Sequence, residues 1–132
     1  MTQNDQEWKA EIITFYERVG GNAFFVELVE RFYRLVEVDP VLRPLYPQDL
    51  TPGKAHLASF LVQYWGGPPQ YSLDRGHPRL RQRHMQFPIG QTERDTWALH
   101  MTSAVRSMDM PSDDAALMTD YFESAATQMM NR

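Results

Sequence analysis

The chain has 132 residues, 42% hydrophobic and 23% charged, the balance of one folded domain rather than of a disordered segment. A formal charge of -4 gives no electrostatic footprint for nucleic acid, and no such partner is expected. With no cysteine in the sequence, disulfides, thiolate metal sites and cysteine nucleophiles are excluded.

Residues 1–11 read as a polar N-terminal extension without the apolar core of a signal peptide. No run approaches the roughly 18 apolar residues of a membrane span. The expectation is therefore a cytoplasmic domain over residues 1–132 with no membrane partner. Ile12, Phe15, Tyr16 and Val19 mark a short amphipathic piece that Gly20-Gly21 ends, and Asn22 is the expected N-cap of the next helix. In that helix Phe25, Leu28, Val29, Phe32, Tyr33 and Val36 fall at offsets 0, 3, 4, 7, 8 and 11, one continuous face. Asp39-Pro40 opens a short turn carrying Val41 and Leu42, closed by Pro44 to Pro47. Thr51-Pro52 starts a further helix with Leu57, Phe60, Leu61, Tyr64 and Trp65 on its apolar face. Gly66-Gly67-Pro68-Pro69 stops it, and residues 66–77 read as a loop. Pro78 to Met85 reads as a short helix.

The two longest helices follow. Trp97, His100, Met101, Ala104, Val105 and Met108 share one face. Beyond Pro111-Ser112, Leu117, Tyr121, Ala125 and Met129 recur at every fourth residue. No stretch alternates long enough to be a strand, so the fold class is all-α. The methionines Met108, Met110, Met118, Met129 and Met130 suit either an interface, which leaves a homodimer open, or core and tail. The long segment between Trp65 and Pro78 exceeds what a plain bundle needs and leaves room for a bound group.

Four histidines carry the candidate chemistry. His84 follows a basic run and is closed off by Pro88. Its neutral imidazole suits an axial iron ligand, although packing is the commoner use of such a residue. His77 reads as a surface cap of the short helix. His100 reads as a core or rim histidine with one hydrogen bond. His56 faces either solvent or a polar group of a ligand. No His-x-x-x-His or Glu-x-x-His pair places two ligands on one helical face; His77 and His84, seven apart with Pro78 in between, are the nearest case. A single histidine then points to a metal that brings its own equatorial ligands, as haem does. Tyr33, Tyr46 and Trp97 are polar aromatics on apolar faces. Each needs a partner, either a backbone carbonyl or a shared polar diatomic ligand. Phosphate-loop and nucleophile-elbow motifs are absent.

These residues also match a family. TFYERVGG (14–21), RFY (31–33), LRPLYP (42–47), QYWGGP (63–68), RGHPRLRQRH (75–84) and ERDTWALHM (93–101) resemble the group II truncated haemoglobins. The similarity runs over about residues 14–130. It implies a two-over-two α-helical sandwich around haem b, with His84 as the proximal iron ligand. Tyr33, Tyr46 and Trp97 fall on the distal hydrogen-bonding positions. Leu57, Phe60 and Leu61 line the pocket, and Arg83 lies near a haem propionate. Tyr71, His77 and His56 belong to the cofactor-contacting set. Gly53, where many globins carry a distal donor, is expected to leave an opening for a small ligand. The implied function is binding of O2, NO or CO, with nitric oxide dioxygenase or peroxidase activity supported by a reductase. The alternative is a gas or redox sensor that signals to a partner.

Overall fold

A computed structural model describes residues 13–132, and the polar extension expected over residues 1–11 lies outside them. The described residues form α1 (Phe15–Val19), α2 (Asn22–Glu37), a 3-10 turn at Arg43–Leu45, α3 (Thr51–Tyr64), α4 (Gln70–Arg75), α5 (Leu80–His84), α6 (Gln91–Ser107) and α7 (Ser112–Gln128), with no strand among them. Two helix pairs make the body: α2 packs on α3, α6 packs on α7, and α2 crosses α6 to join them. Among the described residues, no helix is long and apolar enough to cross a membrane.

Thr14 caps α1, its hydroxyl accepting from the Glu17 amide at 3.1 Å. The cap of α2 is one residue earlier than expected. Gly21 holds it at φ 72°, and Asn22 is already helical. The Asn22 carboxamide oxygen instead accepts the Tyr16 hydroxyl at 3.0 Å, so it is not free to cap. The apolar face of α2 is buried from Phe24 to Val36. Phe25 and Phe32 are fully enclosed, and truncating either to alanine should cost about 3–5 kcal/mol.

The loop expected over residues 66–77 contains the helix α4. Two side-chain bonds hold it against α3. Gln63 accepts the Ser72 amide at 2.9 Å and donates to the Ser72 hydroxyl at 2.8 Å. Gly67 permits the close approach beneath, because a Cβ there would meet Tyr16 and Val62 at 2.7 Å. The short helix expected from Pro78 begins at Leu80, two residues later.

The stripe expected on α7 lies on a neighbouring face. Asp114, Met118, Phe122 and Ala126 are buried, whereas Leu117 is 52% exposed. Asp114 is held by the Arg18 guanidinium at 2.8 and 3.3 Å, which ties α1 to α7. Met118 is core, Met108 and Met110 pack against it, and Met129 lines the central cavity. Four of the five methionines are thus committed to core and cavity rather than to an exposed interface.

Candidate functional site

Between the helix pairs lies a cavity of about 650 Å³, within the range of roughly 300–1,000 Å³ that suits cofactor-sized ligands. One wall is α3, which presents Gly53, His56, Leu57, Phe60 and Leu61 from successive turns of one face. The opposite wall is the α5 segment with Leu80, Arg83 and His84, continued by Phe87 and Ile89. Trp97 of α6, Tyr33 of α2, and Tyr121, Ala125 and Met129 of α7 close the interior.

His84 ends α5 at the cavity. Its Nδ1 lies 2.6 Å from the Leu80 carbonyl oxygen. A carbonyl only accepts, so Nδ1 carries the proton and the lone pair belongs to Nε2. This is the arrangement in which a backbone acceptor orients a metal-ligating imidazole. Among the described residues no group of three or more histidines, aspartates or glutamates could hold a metal. The donor set therefore fits a metal that needs one nitrogen from the protein.

The segment after His84 is fixed from far along the chain. The Asn131 side-chain amide donates to the Phe87 carbonyl at 2.8 Å and to the His84 carbonyl at 3.3 Å. Its oxygen accepts the Ile89 amide at 3.0 Å. Nothing in the local sequence announces this role.

One end of the cavity is cationic. Arg83 donates from Nε to the Pro78 carbonyl at 2.8 Å and from Nη2 to the Arg75 carbonyl at 3.2 Å. Arg75 reaches His56 Nε2 at 2.9 Å. Burial first, then the Arg75 and Arg83 charges, hold the His56 imidazole below its ordinary pKa. Both guanidinium groups lie over the ring of Tyr71, at 5.8 and 6.0 Å from its centre. This end suits carboxylates on an otherwise apolar ligand. Arg75 was not singled out from the sequence, where it is one charge in a basic run.

The polar aromatics form a cluster of their own. Tyr33 and Tyr46 pack edge to face with ring centres 5.7 Å apart. Burial pushes the Tyr33 phenol up to about 12. The Tyr46 phenol is raised further, first by burial and then by Tyr33, with the neighbouring Trp97 indole opposing the shift. Both are neutral hydrogen-bond donors at ordinary pH. Tyr33 and Trp97 belong to the cavity wall; Tyr46, expected there too, is not among the lining residues but packs on Tyr33 and lies beside Trp97. Gly53 lines the cavity, and the Tyr33 hydroxyl occupies the place a side chain would take there, 2.8 Å from a Cβ.

The cavity brings together Tyr33, His56, Leu57, Phe60, Leu61, Tyr71, Arg83, His84 and Trp97. His77 falls elsewhere: it is exposed and lines a second recess with Tyr64, Arg79 and Gln128. His100 makes its one bond to Asp39, at 2.7 Å. A cavity of this size, one oriented imidazole nitrogen, a cationic rim and an apolar interior together fit haem.

Comparison with known proteins agrees. The family model described as bacterial-like globin matches residues 14–131. A group 2 truncated hemoglobin of Bacillus subtilis is 36% identical over 117 residues, covering 89% of this chain and 88% of the relative. The crystal structure of a hemoglobin from Chloroflexus aurantiacus superposes with a TM-score of 0.89 at 52% identity, over 92% of this chain and 100% of that one. A truncated oxygen-avid haemoglobin from Bacillus subtilis superposes with a TM-score of 0.85 at 35% identity, over 90% and 100% of the two chains.

Proposed function

Since the chain belongs to the bacterial-like globin family, with the two-over-two fold and the haem and gas binding of truncated hemoglobins, we propose that it carries haem b and retains a diatomic gas for reaction rather than for delivery. The proposed reaction is oxidation of nitric oxide to nitrate in the cytoplasm, with dioxygen supplying both added oxygen atoms (NO + O2 + e− → NO3−) and a reductase partner supplying the one electron.

The observation that carries this reading is the cluster of three neutral polar aromatics, with Trp97 and Tyr33 in the cavity wall and Tyr46 packed beside them. Haem, when bound, supplies an iron centre that takes a diatomic ligand and exchanges electrons. His84 holds that centre through Nε2. Arg75, Arg83 and His56 receive the carboxylates at the rim. Leu57, Phe60 and Leu61 keep water away on the α3 side. In this reading the Trp97 Nε1–H donates toward a polar guest from the cavity wall, and the Tyr46 hydroxyl, beside both Trp97 and Tyr33, becomes the second donor once a guest is bound, with Tyr33 orienting it.

Magnitudes favour retention over delivery. A hydrogen bond to a charged acceptor contributes about 1.5–3 kcal/mol, and about 1.4 kcal/mol is tenfold in rate. Two such bonds slow gas release by orders of magnitude. The deciding experiment is turnover of nitric oxide, and separately of peroxide, by the haem-loaded protein against free haem. Nitric oxide consumption well above free haem, lowered in Trp97→Phe and Tyr46→Phe, supports the reading. Peroxide turnover alone would replace it with a peroxidase.

A further inference from the structure

We propose that Asp39 and His100 are positioning residues for the distal donors, their hydrogen bond fixing the segment that bears Tyr46 against the helix that bears Trp97. The inference rests on the reading above that Tyr46 and Trp97 donate to the bound gas.

Asp39 follows the end of α2 and uses both carboxylate oxygens. Oδ1 accepts from the amides of Val41 and Leu42 at 2.8 and 3.0 Å, which shapes the turn. Oδ2 lies 2.7 Å from Nε2 of His100, across 61 residues of sequence. The pair is largely shielded, with side-chain exposures of 14% for Asp39 and 17% for His100. An ionised carboxylate only accepts, so His100 donates.

The segment from Asp39 to Gln48 is braced along its length. The Arg43 amide donates to the Asp39 carbonyl at 2.9 Å. The Arg43 guanidinium donates to the carbonyls of Tyr46, Pro47 and Gln48 at 3.0–3.3 Å. Leu42 is buried on the cavity side. A braced unit moves as a unit, and the Asp39–His100 bond ties it to α6. Trp97 sits three residues before His100, one turn along the same helix. A slip of the segment against α6 therefore changes the separation of the Tyr46 hydroxyl and the Trp97 indole. The two jobs of Asp39 are separable, because loss of His100 breaks the tie and leaves the Oδ1 turn intact.

The test uses the haem-loaded protein and reads the C–O stretching frequency of its carbon monoxide complex together with the oxygen dissociation rate. Trp97→Phe and Tyr46→Phe come first; if neither moves the stretch, the donor reading itself fails and the tie has nothing to position. With that reading intact, His100→Phe is expected to shift the stretch in the same sense as Tyr46→Phe. It should also speed oxygen release about three- to tenfold, the size of one weakened hydrogen bond. His100→Gln, whose amide nitrogen reaches about as far as imidazole Nε2, should restore most of both. His100→Phe added to Tyr46→Phe should change neither further. Where His100→Phe fails to fold, His100→Asn, too short to reach Asp39, takes its place. A variant that loses thermal stability but keeps the parent stretch and rate would overturn the proposal, leaving the pair a structural bond only.

Discussion

The hydroxyl of Tyr33 stands 2.8 Å from the point where a Cβ on Gly53 would lie. In an ordinary helix, Gly→Ala stabilises by about 0.5–1 kcal/mol. Here the methyl group meets a hydroxyl on a rigid ring buried among Phe32, Tyr46 and α3. Gly53→Ala is therefore expected to lower the melting temperature and to change oxygen release by displacing Tyr33. In a Tyr33→Phe background the same substitution should become neutral or stabilising. Thermal unfolding of the four proteins in this cycle checks it, and equal effects in both backgrounds would show that the two residues are not coupled.

The two ends of the α5 segment should separate into capture and retention of haem. His84→Ala removes the proposed iron-ligating nitrogen, and hemin titration should no longer reach a sharp one-to-one endpoint. Asn131→Ala leaves His84 in place but frees the carbonyls of His84 and Phe87 and the amide of Ile89. Uptake should remain stoichiometric, while hemin transfer to an acceptor protein accelerates by about tenfold, the lower end for loss of an outer-shell partner.

Alkaline titration should divide the six tyrosines. Burial pushes Tyr33 and Tyr121 up to about 12 and Tyr46 beyond them, from an ordinary value near 10. Between about pH 10 and 12 the folded chain keeps protons that the unfolded chain releases, so stability falls as pH rises through that window. Phenolate absorbance followed against pH should show a late phase that appears only with unfolding. A single early phase for all the tyrosines would contradict the buried cluster.

On the acid side, the His100 hydrogen bond, with the Leu42 and Val41 amides, holds the Asp39 carboxyl below the usual carboxylate range. Its contribution is present above the unfolded value of about 3.9 and is lost as pH falls through the depressed folded value. Asp39→Ala should lower stability at neutral pH by about 1 kcal/mol, as loss of a cap does. The variant should also lose less than the parent does between pH 5 and strong acid, an expectation that acid unfolding curves test.

Much of this architecture is legible in the sequence because it rests on local repetition. The α2 stripe is built of large apolar side chains at helical spacing, and burial follows it from Phe25 to Val36. His84 is set apart by its place in the motif RGHPRLRQRH (75–84), since isolation from a second ligand is shared by the other three histidines. The helix α4 is not legible, since only Tyr71 of its six residues is buried and its brace, Gln63 with Ser72, is a tertiary pairing. On α7 the visible repeat runs through Tyr121, Ala125 and Met129 toward the cavity. The core face runs through Met118 and Phe122, about 100° around the helix. Arg75 and Asn131 carry no local mark, because what each does is decided by backbone brought to it from elsewhere.

The placement of Asn131 also has a consequence for synthesis. It lies 47 residues after His84, so the His84 imidazole is made well before the amide that steadies its segment. Tyr121, Ala125 and Met129 of the cavity wall belong to the same late stretch, so the site is complete only once residues 121–131 have been made.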